Sequence, residues 1–243
     1  MTYCVAIKTN AGMVFLSDTR TNAGVDNISK YKKMFTWEVP GNRVITMMTS
    51  GNLSITQAVI SLLQENIDNP QDGIDTILNA DSLFRVAEIV GDAMRVIQNR
   101  YGANISQMGE STVSSIIVGG QRAGGDMRLF QVYSAGNFIE AGLDTPYFQN
   151  GEHKYGKPIL DRVIGVDTPL NFCVTAALLS MDSTLRSNLS VGMPLDLSVI
   201  VRDELQFSQN RRIEEHDQNY LALSDAWSNA LRNAFSDMFQ YTV

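Results

Sequence analysis

The sequence is poor in the residues that build metal sites and disulfide frameworks. Its 243 residues include only Cys4 and Cys173 as cysteines and only His153 and His216 as histidines, without metal-type spacing. This composition argues against a disulfide framework and against a histidine-rich metal centre, and we expect no cofactor. No apolar run approaches the ~18 residues of a membrane helix, and the N-terminus lacks the pattern of a signal peptide. We therefore expect a cytoplasmic protein with no membrane partner.

Positive charge is also scarce. The chain has 19 Lys and Arg against 26 Asp and Glu, for a net charge of −7. We find no basic stripe with interleaved aromatic residues, so a nucleic-acid partner is not expected. No ATPase-docking motif is evident either. The hydrophobic fraction of 44% is sufficient for a sizeable core, and we expect one domain over 1–243 with a helical C-terminal extension at about 203–243.

Runs of strands alternate with pairs of helices along the chain. Apolar runs between turn residues predict strands at 4–9, 13–17, 33–39, 43–49, 112–118, 127–134, 138–141 and 195–202. Helical periodicity predicts helices that start at a capping box on Ser54, that cover 81–101, 168–186 and 220–239, and that include a short one ending near 163. The segment 19–30 is polar and is predicted to be a loop. This order favours a layered α+β domain.

A threonine stands directly behind the initiator methionine. If Met1 is removed, the hydroxyl of Thr2 lies beside its own α-amine, whose reference pKa is about 7.7–8.0. Such an amine can accept the hydroxyl proton as a general base, so that the residue forms a complete nucleophile. The alternative is simple trimming of the N-terminus without a catalytic consequence.

Two charged residues occur where an N-terminal nucleophile would need them. Asp18 follows the second predicted strand and Lys33 opens the third. If the first three strands are neighbours, both side chains can lie near Thr2, with the carboxylate fixing an ammonium that stabilises negative charge. The alternative is that both residues flank turns and are solvated.

These motifs together resemble the proteasome-type β-subunits. The resemblance rests on Thr2 before an apolar strand, on Ser17-Asp18, on Lys32-Lys33-Met34-Phe35 and on the Thr49-Ser50-Gly51-Asn52 turn. It continues through the Gly-rich strand ending at Gly119-Gly120. Within this group the start of the chain, the block 181–192 and the extended C-terminus are similar to Anbu, a bacterial proteasome-like branch.

The resemblance implies a four-layer αββα sandwich of the N-terminal nucleophile hydrolase type. It implies Thr2 as nucleophile, Asp18 and Lys33 as its charge partners, and Asp182 as a more distant supporting carboxylate. Ser183 or Ser187 is expected to supply a serine that normally follows that carboxylate. It also implies self-association into rings or helical stacks.

Two positions depart from the family pattern. Where the oxyanion donor is usually a glycine, we assign the backbone N–H of Met48. Where a serine usually contacts the N-terminal amine, we assign Glu152, whose carboxylate would hold the amine protonated. The expected function is a threonine-type peptidase or amidase acting on a peptide or amide substrate. The alternative is a weakly active or inactive assembly or scaffold protein.

Overall fold

The molecule is built on two antiparallel five-stranded sheets. The computed structural model describes residues 2–22 and 28–238. The strands in chain order are β1 (Tyr3–Thr9), β2 (Gly12–Asp18), β3 (Arg20–Asn22), β4 (Ile28–Lys30), β5 (Met34–Val39), β6 (Arg43–Gly51), β7 (Ser114–Arg122), β8 (Arg128–Tyr133), β9 (Phe138–Glu140), β10 (Tyr147–Gly151), β11 (Leu195–Val201) and β12 (Phe207–Ile213). The first sheet has the order β10-β1-β2-β11-β12, the second the order β5-β6-β7-β8-β9, and β3 and β4 form a separate pair.

Helices cover the faces that the two sheets turn away from each other. They are α1 (Leu53–Asp68), α2 (Leu83–Gln107), α3 (Lys157–Val163), α4 (Leu170–Ser187) and α5 (Gln218–Asp237). One apolar cluster joins α1 and α2 to the second sheet, and another joins α3, α4 and the start of α5 to the first. A third joins residues of the two sheets, among them Cys4, Phe15, Met48 and Ile117. None of the helices in 2–22 and 28–238 has both the length and the apolar composition to cross a membrane.

Strand β1 is buried on both faces. Tyr3, Val5 and Ile7 contact the helical side of the first sheet, whereas Cys4 and Ala6 contact the second sheet. This alternation follows from the two-residue period of a strand, and it explains why the run is apolar throughout. The strand lies between β10 and β2, with Tyr3 opposite Gly151 and Cys4 opposite Ser17. The first residues of the chain are therefore held in the interior of a sheet.

Several boundaries differ from the sequence predictions. Helix α1 begins earlier than expected, because the side chain of Asn52 caps it by accepting from the Ile55 N–H, and Ser54 lies inside the first turn. Strands β10 and β12 were not predicted, and the predicted loop at 19–30 contains β3 and β4.

The segment after residue 203 is not helical throughout. It begins with β12, which pairs with β11 from Leu195 opposite Ile213 and forms an edge of the first sheet. Only α5 is helical within the proposed extension. Residues 239–243, which include the predicted end of this helix, lie outside the described residues.

Candidate active site

Thr2 is anchored at the entrance to β1 by the neighbouring strand. Its carbonyl oxygen accepts a 2.7 Å hydrogen bond from the Glu152 N–H. Gly151 permits this approach: its φ is +81°, and a Cβ built on it would lie 1.9 Å from the Thr2 carbonyl oxygen. Any larger residue would have to displace the backbone of Thr2. Met1 lies outside the described residues.

Asp18 and Lys33 form a buried ion pair beside Thr2. The Lys33 Nζ lies 2.7 Å from the Asp18 Oδ1, and the two side chains are 4% and 0% exposed. The same Oδ1 accepts a 3.0 Å hydrogen bond from the N–H of Tyr3, the residue that follows Thr2. The ammonium is thus placed next to the Thr2–Tyr3 peptide. The structure brings Asp18 and Lys33 together beside Thr2 as predicted, but by another route, because Lys33 precedes a strand of the second sheet and not a third neighbouring strand of the first.

Several further groups hold this pair in place. The N–H of Gly192 donates to the Asp18 Oδ2 at 3.3 Å, and Lys33 Nζ donates to the Arg20 carbonyl at 2.6 Å. Burial raises the pKa of the Asp18 carboxyl, whereas the Lys33 ammonium and the two backbone N–H groups act in the opposite direction. Because both charges are removed from water, each depends on the other for compensation.

Tyr3 fixes the chain on the opposite side of the strand. Its hydroxyl hydrogen bonds the Ser180 hydroxyl on α4 and accepts from the Gln149 amide at 2.7 Å. Burial raises the pKa of this phenol. The residue directly after Thr2 is therefore bonded both to Asp18, through its backbone N–H, and to the helical layer, through its hydroxyl.

The Met48 N–H is not suitably placed for the role that we assigned to it. Met48 pairs with Met34 on β5 and with Ile117 on β7, so it lies inside the second sheet. The next residue, Thr49, donates its N–H to the Lys33 carbonyl at 2.9 Å. Since successive N–H groups of a strand point to opposite sides, the Met48 N–H points to β7 and is used in the sheet.

Gly51, which our assignment missed, has the geometry that Met48 lacks. N–H groups two residues apart on a strand point the same way, so the Gly51 N–H points to the β5 side of the sheet, as the Thr49 N–H does. At Gly51, however, β5 has not yet begun, and no described strand lies opposite on that side. Among the described residues, this N–H makes no backbone hydrogen bond outside the strand ladders. Gly51 is exposed, and its φ of +95° suits glycine.

The ends of β1 and β6 lie over each other. A Cβ on Gly119, which is paired with Thr46, would contact Phe15, whose partner in the first sheet is Ala6. Cys4 is further towards the N-terminus, and its Sγ lies 3.9 Å from the Thr49 carbonyl. Ala6 therefore lies at the level of Thr46, and Cys4 lies over Thr49, which is closer to the end of β6. Extended by two residues on each strand, the same alignment places Thr2 at the end of the molecule where Gly51 lies.

Of the other residues assigned to supporting roles, Glu152 lies near Thr2, whereas Asp182 bonds to other groups. Glu152 is buried opposite Thr2, and its Oε2 accepts from the Asn188 Nδ2 at 3.2 Å. Asp182 instead faces α5, where it accepts from the Ser224 hydroxyl at 2.6 Å. Within the described part of the chain, Ser183 and Ser187 make no hydrogen bond to this cluster. The structure therefore supports Glu152 as a neighbour of Thr2, and not Asp182, Ser183 or Ser187.

Sequence reasoning missed the loop that follows α4. Asn188 contacts Glu152, while Gly192 contacts Asp18. The sequence did carry a signal for this loop, because Asn188 caps the end of α4 and Gly192 follows four residues later. It indicates a tight connection, but not which carboxylates the loop contacts.

The solved structures that resemble this chain come from one family. Anbu from Hyphomicrobium sp. strain MC1 is 48% identical, with a TM-score of 0.89, over 99% of this chain and 100% of that one. Anbu (ancestral beta-subunit) from Yersinia bercovieri is 41% identical, with a TM-score of 0.92, over 99% of both chains. The Anbu complex from Pseudomonas aeruginosa, described as a helical assembly, is 44% identical, with a TM-score of 0.93, over 99% of this chain and 98% of that one.

No family model and no curated protein matches the chain. The structural matches nevertheless extend over both chains almost completely, at identities well above the range in which only the fold is shared. The expected resemblance is confirmed at this level. The chain belongs to the Anbu family of proteasome-like β-subunits.

Proposed function

We propose that the protein is a threonine-type amide hydrolase that uses Thr2 as an N-terminal nucleophile. The observation that carries the proposal is the buried Asp18–Lys33 pair, whose shared Oδ1 also bonds the N–H of Tyr3 directly behind Thr2. A pair that serves only the core has no need to be placed at the first residue of a processed chain. The packing of helices on the outer faces of two facing sheets fits the four-layer αββα sandwich of N-terminal nucleophile hydrolases.

The reaction begins after removal of Met1 frees the α-amine of Thr2. The Thr2 hydroxyl attacks the scissile carbonyl, forming a C–O bond while its proton passes to the α-amine. Lys33 stabilises the developing charge, and the Gly51 N–H is our candidate donor to the tetrahedral oxyanion. Collapse breaks the C–N bond, and the leaving amine takes the proton from the α-ammonium. Water then hydrolyses the Thr2 ester and regenerates the hydroxyl.

We also propose that this chemistry occurs in a self-associated assembly, as rings or helical stacks. The Pseudomonas aeruginosa relative is described as a helical assembly. Large apolar side chains remain exposed on the outer helices of this chain, including Phe172 on α4 and Leu231 and Phe235 on α5. Exposed apolar surface of this kind is typical of contact surfaces between subunits.

The nucleophile is tested by Thr2→Ala with peptide and amide substrates. We expect turnover to fall at least about a thousandfold, and an electrophile directed at N-terminal threonine to form an adduct on Thr2 of the parent protein alone, as seen by peptide mass spectrometry. Thr145→Ala, on the exposed loop before β10, is the matched control and should retain both. Undiminished turnover in Thr2→Ala would remove the proposed mechanism.

A scaffold without hydrolase activity is the second candidate. It is favoured by the buried Glu152 carboxylate opposite Thr2, because a negative charge there disfavours the neutral amine that the mechanism requires. For a scaffold, neither hydrolysis nor the adduct would be found in protein shown by intact mass to lack Met1. Assembly would then be the same for the parent and Thr2→Ala.

A further inference from the structure

Acidic residues stand at the ends of both strands that flank β1, on either side of Thr2. Strand β1 lies between β2, which ends at Asp18, and β10, which leads into Glu152. The backbone of Glu152 bonds that of Thr2 directly, at 2.7 Å. The loop 188–192 then contacts both carboxylates, through the Asn188 Nδ2 at one end and the Gly192 N–H at the other. Because the nitrogen and the carbonyl of one strand residue face the same neighbour, the Thr2 nitrogen faces β10 and Glu152, as its carbonyl does.

The charges of these two groups are compensated differently. Asp18 has the Lys33 ammonium at 2.7 Å. Glu152 is only 7% exposed, and its hydrogen-bond donors are neutral: the Asn188 amide at 3.2 Å and the Lys154 N–H at 3.4 Å. Within 2–22 and 28–238 it takes part in no ion pair. A buried carboxylate without a cation is unfavourable, which indicates that a positive group belongs beside it.

The orientation of Asn188 leaves little freedom to this carboxylate. The Asn188 Oδ1 accepts a 2.9 Å hydrogen bond from the Ser190 N–H. Since a backbone N–H can only donate, this contact fixes which end of the amide is oxygen. The Nδ2 must then face Glu152 as a donor. The helix end also fixes Asn188 itself, because its N–H bonds the Thr184 carbonyl at 2.9 Å.

We propose that Glu152, oriented by Asn188, is the receptor for the α-ammonium that appears on Thr2 when Met1 is removed. While Met1 is present the nitrogen of Thr2 belongs to a neutral amide, and the receptor is incomplete. Removal of Met1 supplies the missing cation. The pairing stabilises the processed chain and raises the pKa of the amine, so that the base of the proposed reaction forms at a higher pH than in an unpaired terminus. This inference rests on the proposed function only for its catalytic consequence.

Other charged groups near this end act on the same amine. Lys33 and the guanidinium of Arg20 favour its neutral form, whereas Asp18 acts in the opposite direction and is largely compensated by Lys33. Among the described residues, the titratable groups near Thr2 are Asp18 at the end of β2, Arg20 on β3, Lys33 before β5, Cys4 on β1, Asp196 on β11, whose charge also acts on Cys4, and Glu152 with the exposed His153 and Lys154 after β10. Glu152 is the buried group among them whose removal changes the charge without breaking the Asp18–Lys33 pair.

The test is the titration of the Thr2 amine in processed protein. Acetylation by trace acetic anhydride is followed against pH by mass spectrometry of the N-terminal peptide. Glu152→Gln should lower the apparent pKa of the amine by about one unit, and Asn188→Ala should lower it by less. Glu110→Gln, on an exposed turn, is the control and should match the parent. An amine pKa that is the same in Glu152→Gln and the parent overturns the receptor.

A second measurement covers the case in which Glu152→Gln folds poorly. A chain with glycine inserted before Thr2 keeps the Thr2 nitrogen as an amide after processing. We expect it to unfold about 3 °C or more below the processed parent at equal concentration, and the difference should vanish when both carry Glu152→Gln. An unchanged difference in that pair also overturns the receptor. Neither readout requires turnover, so failure of the proposed hydrolase, seen with Thr2→Ala, remains a separate result.

Discussion

Three of the ion pairs of this chain lie in very different surroundings. Asp18 and Lys33 are 0% and 4% exposed, Asp182 and Arg186 are 7% and 56% exposed, and Glu140 and Arg128 are 36% and 31% exposed. The first pair adjoins Thr2, the second joins α4 to α5 through Ser224, and the third crosses from β8 to β9. Burial of a carboxylate therefore does not by itself mark the active site. Of these three pairs, Asp18–Lys33 has both partners buried, and it is the pair beside Thr2 that our proposal uses.

The largest effect is expected from Lys33→Ala, which leaves Asp18 buried without its cation. We expect the free energy of unfolding to fall by about 3–5 kcal/mol and the Thr2 adduct to be lost. Denaturant unfolding and electrophile labelling measure the two effects. A variant that labels normally would separate the ion pair from the nucleophile and break the comparison.

Gly151→Ala tests the close approach at Thr2 without changing any charge. A Cβ would lie 1.9 Å from the Thr2 carbonyl oxygen, so we expect a loss of about 1–3 kcal/mol together with loss of labelling. Gly73→Ala is a matched control, because Gly73 has a similar φ of +76° with nothing within 4 Å of its Cβ. If the two variants are equally destabilised, backbone strain explains the effect and the contact with Thr2 does not.

Asp182→Ala should separate stability from activity. Loss of this carboxylate leaves the buried Ser224 hydroxyl without its 2.6 Å acceptor, and we expect destabilisation of about 1–3 kcal/mol. The turnover of folded protein should not change, since the described contacts of Asp182 face α5. A fall in kcat at full folding would return Asp182 to the active site.

The smallest effect is expected at the surface pair. The Arg128 guanidinium lowers the pKa of the Glu140 carboxyl, so its contribution to stability is present above the unfolded pKa and is lost as pH falls through the folded one. Glu140→Gln should therefore cost at most about 1 kcal/mol at neutral pH and nothing at strongly acidic pH. Urea unfolding at several pH values measures this. A cost that persists at low pH would point to packing, for example of the Arg128 guanidinium on the Phe130 ring.

The sequence predicted the parts of the site that are close to strong strand signals. Asp18 and Lys33 stand at the ends of apolar runs, as predicted, but β2 and β5 belong to different sheets. Their convergence beside Thr2 follows from the packing of the two sheets, which the local sequence pattern does not specify. The sequence did not show that the Met48 N–H points into the sheet, because the direction of an N–H depends on register, here on the pairing of Lys33 with Thr49. Sequence alone does not specify that pairing.

Other features were missed because their causes are not local. Strand β12 contains consecutive arginines, Arg211 and Arg212, and is mostly exposed at a sheet edge, so its apolar alternation is weak. The contact of Asn188 with Glu152 joins residues 36 positions apart. The true cap of α1 is Asn52, two residues before the serine that we selected. Here competing cap residues are close together, and local propensity does not choose between them.

The position of Thr2 directly before an interior strand has a further consequence. The first residues of a chain are ordinarily the most disordered, and ordering a backbone residue costs about 1–2 kcal/mol of conformational entropy. In this molecule that cost is met during folding, by the sheet partners of Tyr3 and by the Glu152 N–H. A reacting group that is already immobile loses little additional freedom when it meets a substrate. The interactions that stabilise the first sheet therefore also hold the backbone of Thr2 in place before a substrate binds.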